Sequence, residues 1–130
     1  MFKKVYEKWL KNDILTEKEA KELIEIENDA KEIEYRFGKD LEFGTAGMRG
    51  IIGMGTNMMN IYTVRRATQG LAEYIKTLGA KEMKRGVVVS YDTRRMSYEF
   101  AFAAATVLVS NGIKRICLEK FIPYLCFLIL

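Results

Sequence analysis

The feature that most constrains the fold is a strand–helix–strand pattern towards the C-terminal end of the chain. A β-branched run, Gly86-Val-Val-Val-Ser-Tyr91, predicts a short strand buried on both faces. An almost wholly apolar segment at residues 98–110 predicts a buried helix that Ser97 can cap, and residues 113–118 predict a second strand. Strand, helix and strand of these lengths form a right-handed βαβ unit, so a parallel sheet is expected.

Two helical regions are expected before this unit. Residues 3–36 predict an N-terminal helical arm, in which Thr16-Glu17-Lys18-Glu19 has the pattern of a capping box. The charges of this arm are interpreted as a solvated surface. Residues 63–78 predict a long helix, because apolar residues recur there at three- and four-residue spacing. Gly79 follows as a stop signal, with a basic turn expected after it.

Between these helices lies a segment dense in glycine, with six glycines in residues 38–55. Such density predicts tight turns and positive φ angles, with a short strand or hairpin around residues 48–52. Within it, Phe43-Gly-Thr-Ala-Gly-Met-Arg-Gly50 combines glycines that let a ligand approach the backbone with the hydroxyl of Thr45 and the guanidinium of Arg49. Such groups hold phosphate, although the Gly-Lys-Ser/Thr ending of a Walker loop is missing. From the residues alone, a phosphate cradle and a glycine-rich turn with one exposed arginine are both open.

A second candidate site follows the first strand of the βαβ unit. Asp92-Thr-Arg-Arg95 lies at the carboxyl end of that strand, where α/β proteins usually bind ligands. Two interpretations are open. Either Asp92 and Arg94 contact a ligand, or they form an ion pair that shapes the loop.

Charge and composition narrow the classes of function. Residues 1–42 carry nine Lys/Arg against twelve Asp/Glu, a balance of −3, and residues 43–130 carry twelve against five, a balance of +7. The positive part is expected to attract an anionic ligand. A nucleic acid is not expected, because the basic residues are scattered and no aromatic–basic recognition motif occurs. The absence of histidine excludes a Ser-His-Asp triad, a histidine-ligated metal and an imidazole base.

Several motifs within residues 35–118 match, in order, those of one enzyme family. They are Phe43-Gly-Thr-Ala-Gly-Met-Arg-Gly50, Gly55-Thr-Asn-Met-Met-Asn60, Tyr62-Thr-Val-Arg-Arg-Ala-Thr-Gln-Gly70, Val87-Val-Val-Ser-Tyr-Asp-Thr-Arg-Arg95 and residues 105–112. Together they resemble the phosphoglucomutase/phosphomannomutase branch of the alpha-D-phosphohexomutases. The resemblance implies an α/β fold: a three-layer α/β/α first domain with a mixed or parallel sheet, incomplete here, over residues 37–130. The helical arm at residues 1–36 precedes it.

The resemblance also implies a reaction and a site. The parent reaction, an isomerase activity, interconverts hexose 1-phosphate and hexose 6-phosphate through a phosphoserine and a bisphosphate intermediate. Arg49 is implied to lie beside the phosphoserine, with Thr45 and Gly47 contacting phosphate or substrate. Asp92 and Arg94 are implied to lie near the floor of the same site. A hexose phosphate is the implied partner, with Mg²⁺ as the metal and glucose 1,6-bisphosphate as the activator.

The resemblance fails after residue 118. The family's phosphorylated serine belongs to a Thr-Ala-Ser-His-Asn-Pro motif and its Mg²⁺ ligands to an Asp-Gly-Asp-Gly-Asp-type loop, and neither occurs in these 130 residues. Residues 121–130 are an atypical apolar tail, which we interpret as a truncated or frame-shifted ending. The chain is therefore expected to be inactive alone.

An alternative to a mutase fragment is a non-catalytic module that binds phosphate or another protein. On either interpretation, self-association through the incomplete sheet and the apolar tail is expected. The charged N-terminus is unlike a signal peptide, and the longest apolar stretch, ten residues, is too short to span a bilayer. These features predict a cytoplasmic protein that makes no contact with a membrane.

Overall fold

The computed structural model describes residues 1–118. Within that span the chain forms six helices and two small sheets of two strands each. It divides into two compact units, Met1–Thr63 (unit 1) and the residues from Val64 onward (unit 2). The predicted boundary between a helical arm and a domain at residues 36 and 37 stays a prediction.

Unit 1 begins with three short helices inside the predicted arm. They are α1 (Phe2–Leu10), α2 (Glu17–Glu25) and α3 (Ala30–Phe37). At the start of α2, Thr16 Oγ1 accepts the backbone N–H of Glu19 at 3.3 Å, and the Glu19 carboxylate accepts that of Thr16 at 2.9 Å. The predicted capping box is therefore confirmed. Asp29 caps α3 through its carboxylate.

An aromatic cluster holds the helices of unit 1 together. The rings of Tyr6 and Phe37 meet edge to face with their centroids 5.6 Å apart. Trp9 meets Phe37 and Tyr62 in the same orientation, at 5.6 and 5.7 Å. The fully buried Leu23 of α2 belongs to the same core. Since edge-to-face rings are favourable beyond the area they bury, they fix the packing of α1 against α3, and Leu23 brings α2 into the same core.

The glycine-rich segment forms a β-hairpin and then an irregular stretch. Its strands, β1 (Phe43–Gly44) and β2 (Gly47–Met48), pair antiparallel. Thr45 and Ala46 form the turn. Gly47, which follows them, has a φ of 90°, a value that glycine adopts readily and that lets the chain reverse here. The hairpin thus lies earlier than the predicted position around residues 48–52. Ile52 instead forms an isolated bridge with Met59.

The remaining elements belong wholly or mainly to unit 2. They are α4 (Ile61–Leu78), which begins in unit 1, α5 (Ala80–Arg85), β3 (Val87–Ser90), α6 (Ser97–Ser110) and β4 (Arg115–Leu118). The basic turn predicted after Gly79 is wrong, because the chain enters the short helix α5 directly. β3 and β4 pair in parallel, with Val87 opposite Arg115. The predicted parallel strands with a helix between them are confirmed.

The core of unit 2 combines residues from α4, β3 and α6 with the residue that precedes β4 by two positions. They are Ala72, Ile75, Val87, Val89, Leu108 and Ile113. Along β3 the exposure alternates, since successive strand residues point to opposite faces. Val88 is therefore only half-buried, and the strand is covered less completely on one face than predicted.

The apolar tail at residues 121–130 lies outside the described residues, and its part in self-association stays a prediction. No helix within residues 1–118 combines the length and the apolar character that a crossing of the bilayer requires.

Candidate functional site

The hairpin carries three of the predicted site residues. Thr45 lies in its turn, Gly47 begins β2, and Arg49 directly follows β2. The side chains of Thr45 and Arg49 are exposed. Within residues 1–118 neither side chain has a hydrogen bond or ion pair. An exposed guanidinium without a protein partner is able to hold a phosphate through two parallel N–H···O bonds.

The surroundings of the hairpin glycines differ from one position to the next. A Cβ atom added at Gly44 would make only an ordinary contact, 3.6 Å from the Gly47 carbonyl oxygen, and one added at Gly47 would meet nothing within 4 Å. Packing therefore does not require glycine at Gly44, and both glycines leave space beside the backbone for a ligand, although they pair with each other across the hairpin. At Gly50 an added Cβ would lie 2.8 Å from Leu41 Cδ1. Gly50 thus makes room for Leu41, and its part in opening the backbone to a ligand stays a prediction.

An ion-pair network of helices α2 and α3 contacts the irregular stretch that follows the hairpin. Arg36 Nη1 lies 2.6 Å from Glu22 Oε1, and Arg36 Nε lies 2.7 Å from Glu32 Oε1. Burial lowers the pKa of Arg36, but the hydrogen bonds and charges of the two carboxylates raise it by more, so its pKa lies above the ordinary value. The interpretation of the arm's charges as a solvated surface is wrong for these residues. The spacing of Glu32 and Arg36, four positions apart on one helix, was the available signal.

Two further glycines owe their identity to this network. A Cβ added at Gly53 would lie 2.8 Å from Met58 Cε and 3.0 Å from Glu22 Oε1. One added at Gly55, where φ is 142°, would lie 2.7 Å from the Arg36 carbonyl oxygen. The close approach of Glu22 and Arg36 to the backbone therefore explains these glycines, with no ligand needed.

Asn60 joins the same stretch to helix α4. Its Nδ2 donates to the carbonyl oxygens of Gly53 at 2.9 Å and Gly55 at 3.0 Å. Its Oδ1 accepts the backbone N–H of Thr63 at 2.9 Å in the first turn of α4. This buried amide therefore caps the helix and fixes the glycine-rich stretch at once. The sequence signal was an asparagine three positions before the predicted start of a helix.

The loop after β3 holds Asp92 and Arg94 against each other. Arg94 Nε lies 2.7 Å from Asp92 Oδ2, and the Arg94 backbone N–H donates to Asp92 Oδ1 at 3.0 Å. That backbone bond lowers the pKa of Asp92 most. Partial burial raises it, while the Arg94 guanidinium and the Ser97 hydroxyl lower it further. The ion pair left open by the sequence is present, and contact with a ligand stays a prediction.

Ser97 shapes this loop instead of capping the helix. Its Oγ accepts the backbone N–H of Asp92 at 3.0 Å. Met96 occupies the cap position with a left-handed φ of 65°, and Ser97 is the first residue of α6. The predicted cap is therefore wrong, because the hydroxyl is already engaged with the loop. Left-handed backbone at a side chain such as methionine stores strain, which is often found near functional sites.

The five predicted site residues thus fall into two groups. Thr45, Gly47 and Arg49 share one hairpin of unit 1, and Asp92 and Arg94 share one loop of unit 2. Within residues 1–118 no three side chains of His, Cys, Asp or Glu are placed to hold a metal ion.

Comparison with known proteins identifies the relatives of this chain. Residues 40–127 match the model of the phosphoglucomutase/phosphomannomutase alpha/beta/alpha domain I. A phosphoglucomutase of Staphylococcus haemolyticus is 43% identical over 81 residues, which are 62% of this chain and 14% of that protein. A human phosphopentomutase is 38% identical over 112 residues, 82% of this chain and 18% of that protein. A probable phosphoribomutase of Schizosaccharomyces pombe is 37% identical over 119 residues, 88% of this chain and 20% of that protein.

The match thus spans about a fifth or less of the length of these relatives. No solved structure matches significantly. The family match confirms both the resemblance and the predicted α/β/α first domain with helices before it. The chain belongs to the phosphoglucomutase/phosphomannomutase family, and its residues 40–127 correspond to the α/β/α domain I of that family.

Proposed function

We propose that this chain contributes phosphate-binding residues to a mutase that moves a phosphate group between two positions of a sugar. The observation that carries the proposal is Arg49, an exposed guanidinium without a protein partner in residues 1–118. It directly follows a hairpin in which Gly44 and Gly47 leave space beside the backbone. The names of the relatives, phosphoglucomutase and phosphopentomutase, support a sugar phosphate as the substrate class.

In this proposal the hairpin supplies charge and hydrogen bonds but no nucleophile. Arg49 binds two phosphate oxygens, the Thr45 hydroxyl donates to the same group, and Gly47 lets that group approach the backbone. Donors fixed in place before the reaction stabilise the charge on a phosphoryl group most effectively. The pair Asp92 and Arg94 is proposed as a separate phosphate contact within unit 2, since the ion pair fixes an arginine side chain that is 72% exposed.

The other parts of the family's reaction lie outside what the described residues offer. Interconversion of hexose 1-phosphate and hexose 6-phosphate through a phosphoserine, with Mg²⁺ and glucose 1,6-bisphosphate, is proposed for the parent activity only. The 130 residues contain neither the Thr-Ala-Ser-His-Asn-Pro motif nor an Asp-Gly-Asp-Gly-Asp-type loop. We therefore propose that the chain alone binds phosphate and turns no substrate over. The cytoplasmic location stays a prediction.

The test is an NMR titration of the ¹⁵N-labelled chain with inorganic phosphate, glucose 1-phosphate and glucose 1,6-bisphosphate. Saturable shifts of the amides of residues 44–50 are expected. They should vanish in Arg49→Ala and persist in the matched variant Arg85→Ala, whose arginine is exposed and paired with Glu82. Equal affinity of Arg49→Ala and the wild type contradicts the proposal. A DNA oligonucleotide that displaces phosphate contradicts it too, and mutase turnover by purified chain contradicts the proposed inactivity.

A second candidate function is a protein-interaction module, which the exposed face of α6 favours. Tyr98, Phe102 and Val109 are each more than half exposed on this helix, and the rings of Tyr98 and Phe102 stack at 6.4 Å. Exposed apolar side chains that lie together favour association. Light scattering at tens of micromolar should then show oligomers that the double variant Tyr98→Ser/Phe102→Ser loses. A monodisperse wild-type monomer rejects this candidate.

A further inference from the structure

We infer that the ion pair of Arg36 and Glu22 positions the phosphate-binding hairpin, although neither residue belongs to it. The inference rests on the proposed function and adds to it a pair of positioning residues in the N-terminal helices. Arg36 lies on α3 and Glu22 on α2. All the contacts that carry the inference lie within unit 1.

Backbone hydrogen bonds hold both ends of the hairpin. The chain enters β1 shortly after Leu41, whose backbone N–H donates to the Thr56 carbonyl oxygen at 2.8 Å. It leaves β2 towards Ile51, whose carbonyl oxygen accepts the backbone N–H of Met59 at 2.8 Å. Both ends are therefore hydrogen-bonded to the same stretch, residues 53–59. The position of that stretch determines where the hairpin lies.

Glu22 and Arg36 together hold the stretch of residues 53–59. Glu22 Oε1 accepts the backbone N–H of Met54 at 2.8 Å as well as Arg36 Nη1 at 2.6 Å. Arg36 Nη1 also donates to the Met54 carbonyl oxygen at 3.3 Å, and the Arg36 carbonyl oxygen accepts the backbone N–H of Asn57 at 2.9 Å. The side chain of Arg36 thus binds the stretch at Met54, and its backbone binds the stretch at Asn57. Gly53 and Gly55 leave the space for this approach.

Loss of the ion pair between Arg36 and Glu22 should loosen the hairpin without unfolding unit 1. Asn60 holds the same stretch independently, through the carbonyl oxygens of Gly53 and Gly55. The ring contacts of Trp9 with Phe37 and Tyr62 involve neither Glu22 nor Arg36. A neutral side chain at residue 22 weakens only the charged hydrogen bonds to Met54 and Arg36. The hairpin then gains freedom, and its donors are less well placed for phosphate.

The experiment uses the full chain and two variants, Glu22→Gln and Arg36→Lys. Glu22→Gln removes the charge that both donors share, and Arg36→Lys keeps a cation but loses the forked geometry. The matched control is Glu82→Gln, which breaks an exposed ion pair with Arg85 in unit 2. Trp9 is the single tryptophan of the chain, and its fluorescence shows whether unit 1 remains folded. The measured quantities are the Kd for inorganic phosphate and the solvent exchange of the amides of residues 44–50 without ligand.

Both variants should raise the Kd about three- to tenfold, the size of the loss of a hydrogen bond. They should also speed amide exchange in the hairpin, while Glu82→Gln changes neither quantity. If the wild type binds, Arg49→Ala does not bind, and both network variants match the wild type, the inference is overturned and the proposed function stands. If the wild type shows no saturable binding, the proposed function fails. Hairpin exchange then still decides: faster exchange in the variants supports positioning, and unchanged exchange overturns it.

Discussion

The carboxylate of Glu22 accepts the backbone N–H of Met54 at 2.8 Å across 32 positions of the sequence. The same carboxylate oxygen accepts a hydrogen bond from Arg36 at 2.6 Å, so it joins α2, α3 and the stretch that follows the hairpin. Met54 itself is only 3% exposed, and the Glu22 carboxylate supplies its backbone N–H with a hydrogen-bond acceptor. The helices that precede the hairpin thus take part in shaping it.

Asn60→Ala should lower the free energy of unfolding by about 2–3 kcal/mol, because it removes a helix cap and leaves buried carbonyl groups without their donor. Urea unfolding followed by Trp9 fluorescence measures the effect in unit 1. The matched control is Asn12→Ala, since within residues 1–118 the exposed Asn12 carboxamide accepts one backbone N–H, that of Ile14. It should change the free energy by no more than about 0.5 kcal/mol. Equal effects of the two variants would contradict the role given to Asn60.

Gly70→Ala should raise the stability of the chain by about 0.5–1 kcal/mol, measured by thermal unfolding. Gly70 lies inside α4, and a Cβ added there meets nothing within 4 Å. Alanine therefore gains helix propensity at no steric cost. Gly55→Ala is the opposing control, because its Cβ would lie 2.7 Å from the Arg36 carbonyl oxygen at a φ of 142°. A lower Tm for Gly70→Ala would contradict the open surroundings.

Met96→Asn should be more stable than Met96→Ala by about 1 kcal/mol, because Met96 has a φ of 65° at the cap position of α6. Asparagine tolerates left-handed backbone and caps helices, whereas alanine does neither. The comparison of two substitutions cancels the loss of methionine packing. Urea unfolding with far-UV circular dichroism measures it, and an alanine variant that is the more stable of the two contradicts the left-handed geometry.

The loop at Asp92 should lose its order in acid. The pKa of Asp92 is lowered in the folded chain from its ordinary value of 3.8. A lowered folded pKa means that the stabilisation is fully present above 3.8 and is lost as the pH falls through the folded value. The amide shift of Arg94, which donates to Asp92, should titrate below pH 3.8. Asp92→Asn should abolish this titration, and its persistence in that variant would assign it to another group.

The local elements of this chain were predictable from short stretches of sequence. The capping box of Thr16 and Glu19 involves residues three positions apart, and the long helix α4 follows from its own periodicity. The parallel pairing of β3 and β4 follows from the order strand, helix, strand. In each case the determining interactions lie within one element or between successive ones.

The errors arose where distant residues meet. Ser97 has the residue type of a helix cap, but its hydroxyl binds the Asp92 amide in the preceding loop. Gly50 was predicted from its type as an approach for a ligand, and the room that it makes for Leu41 was not foreseen. Neither competing contact has a local sequence pattern, so residue type alone could not reveal it.

The sequence by itself determined the family, the α/β order of elements and the candidate residues Thr45, Gly47, Arg49, Asp92 and Arg94. Tertiary structure alone decided that Arg36 and Glu22 hold the stretch beneath the hairpin, and that Asn60 holds it from the side of α4. The physical reason is that a local pattern records propensity and spacing along the chain. A hydrogen bond across 32 positions depends on how the helices pack, and only the folded chain contains that information.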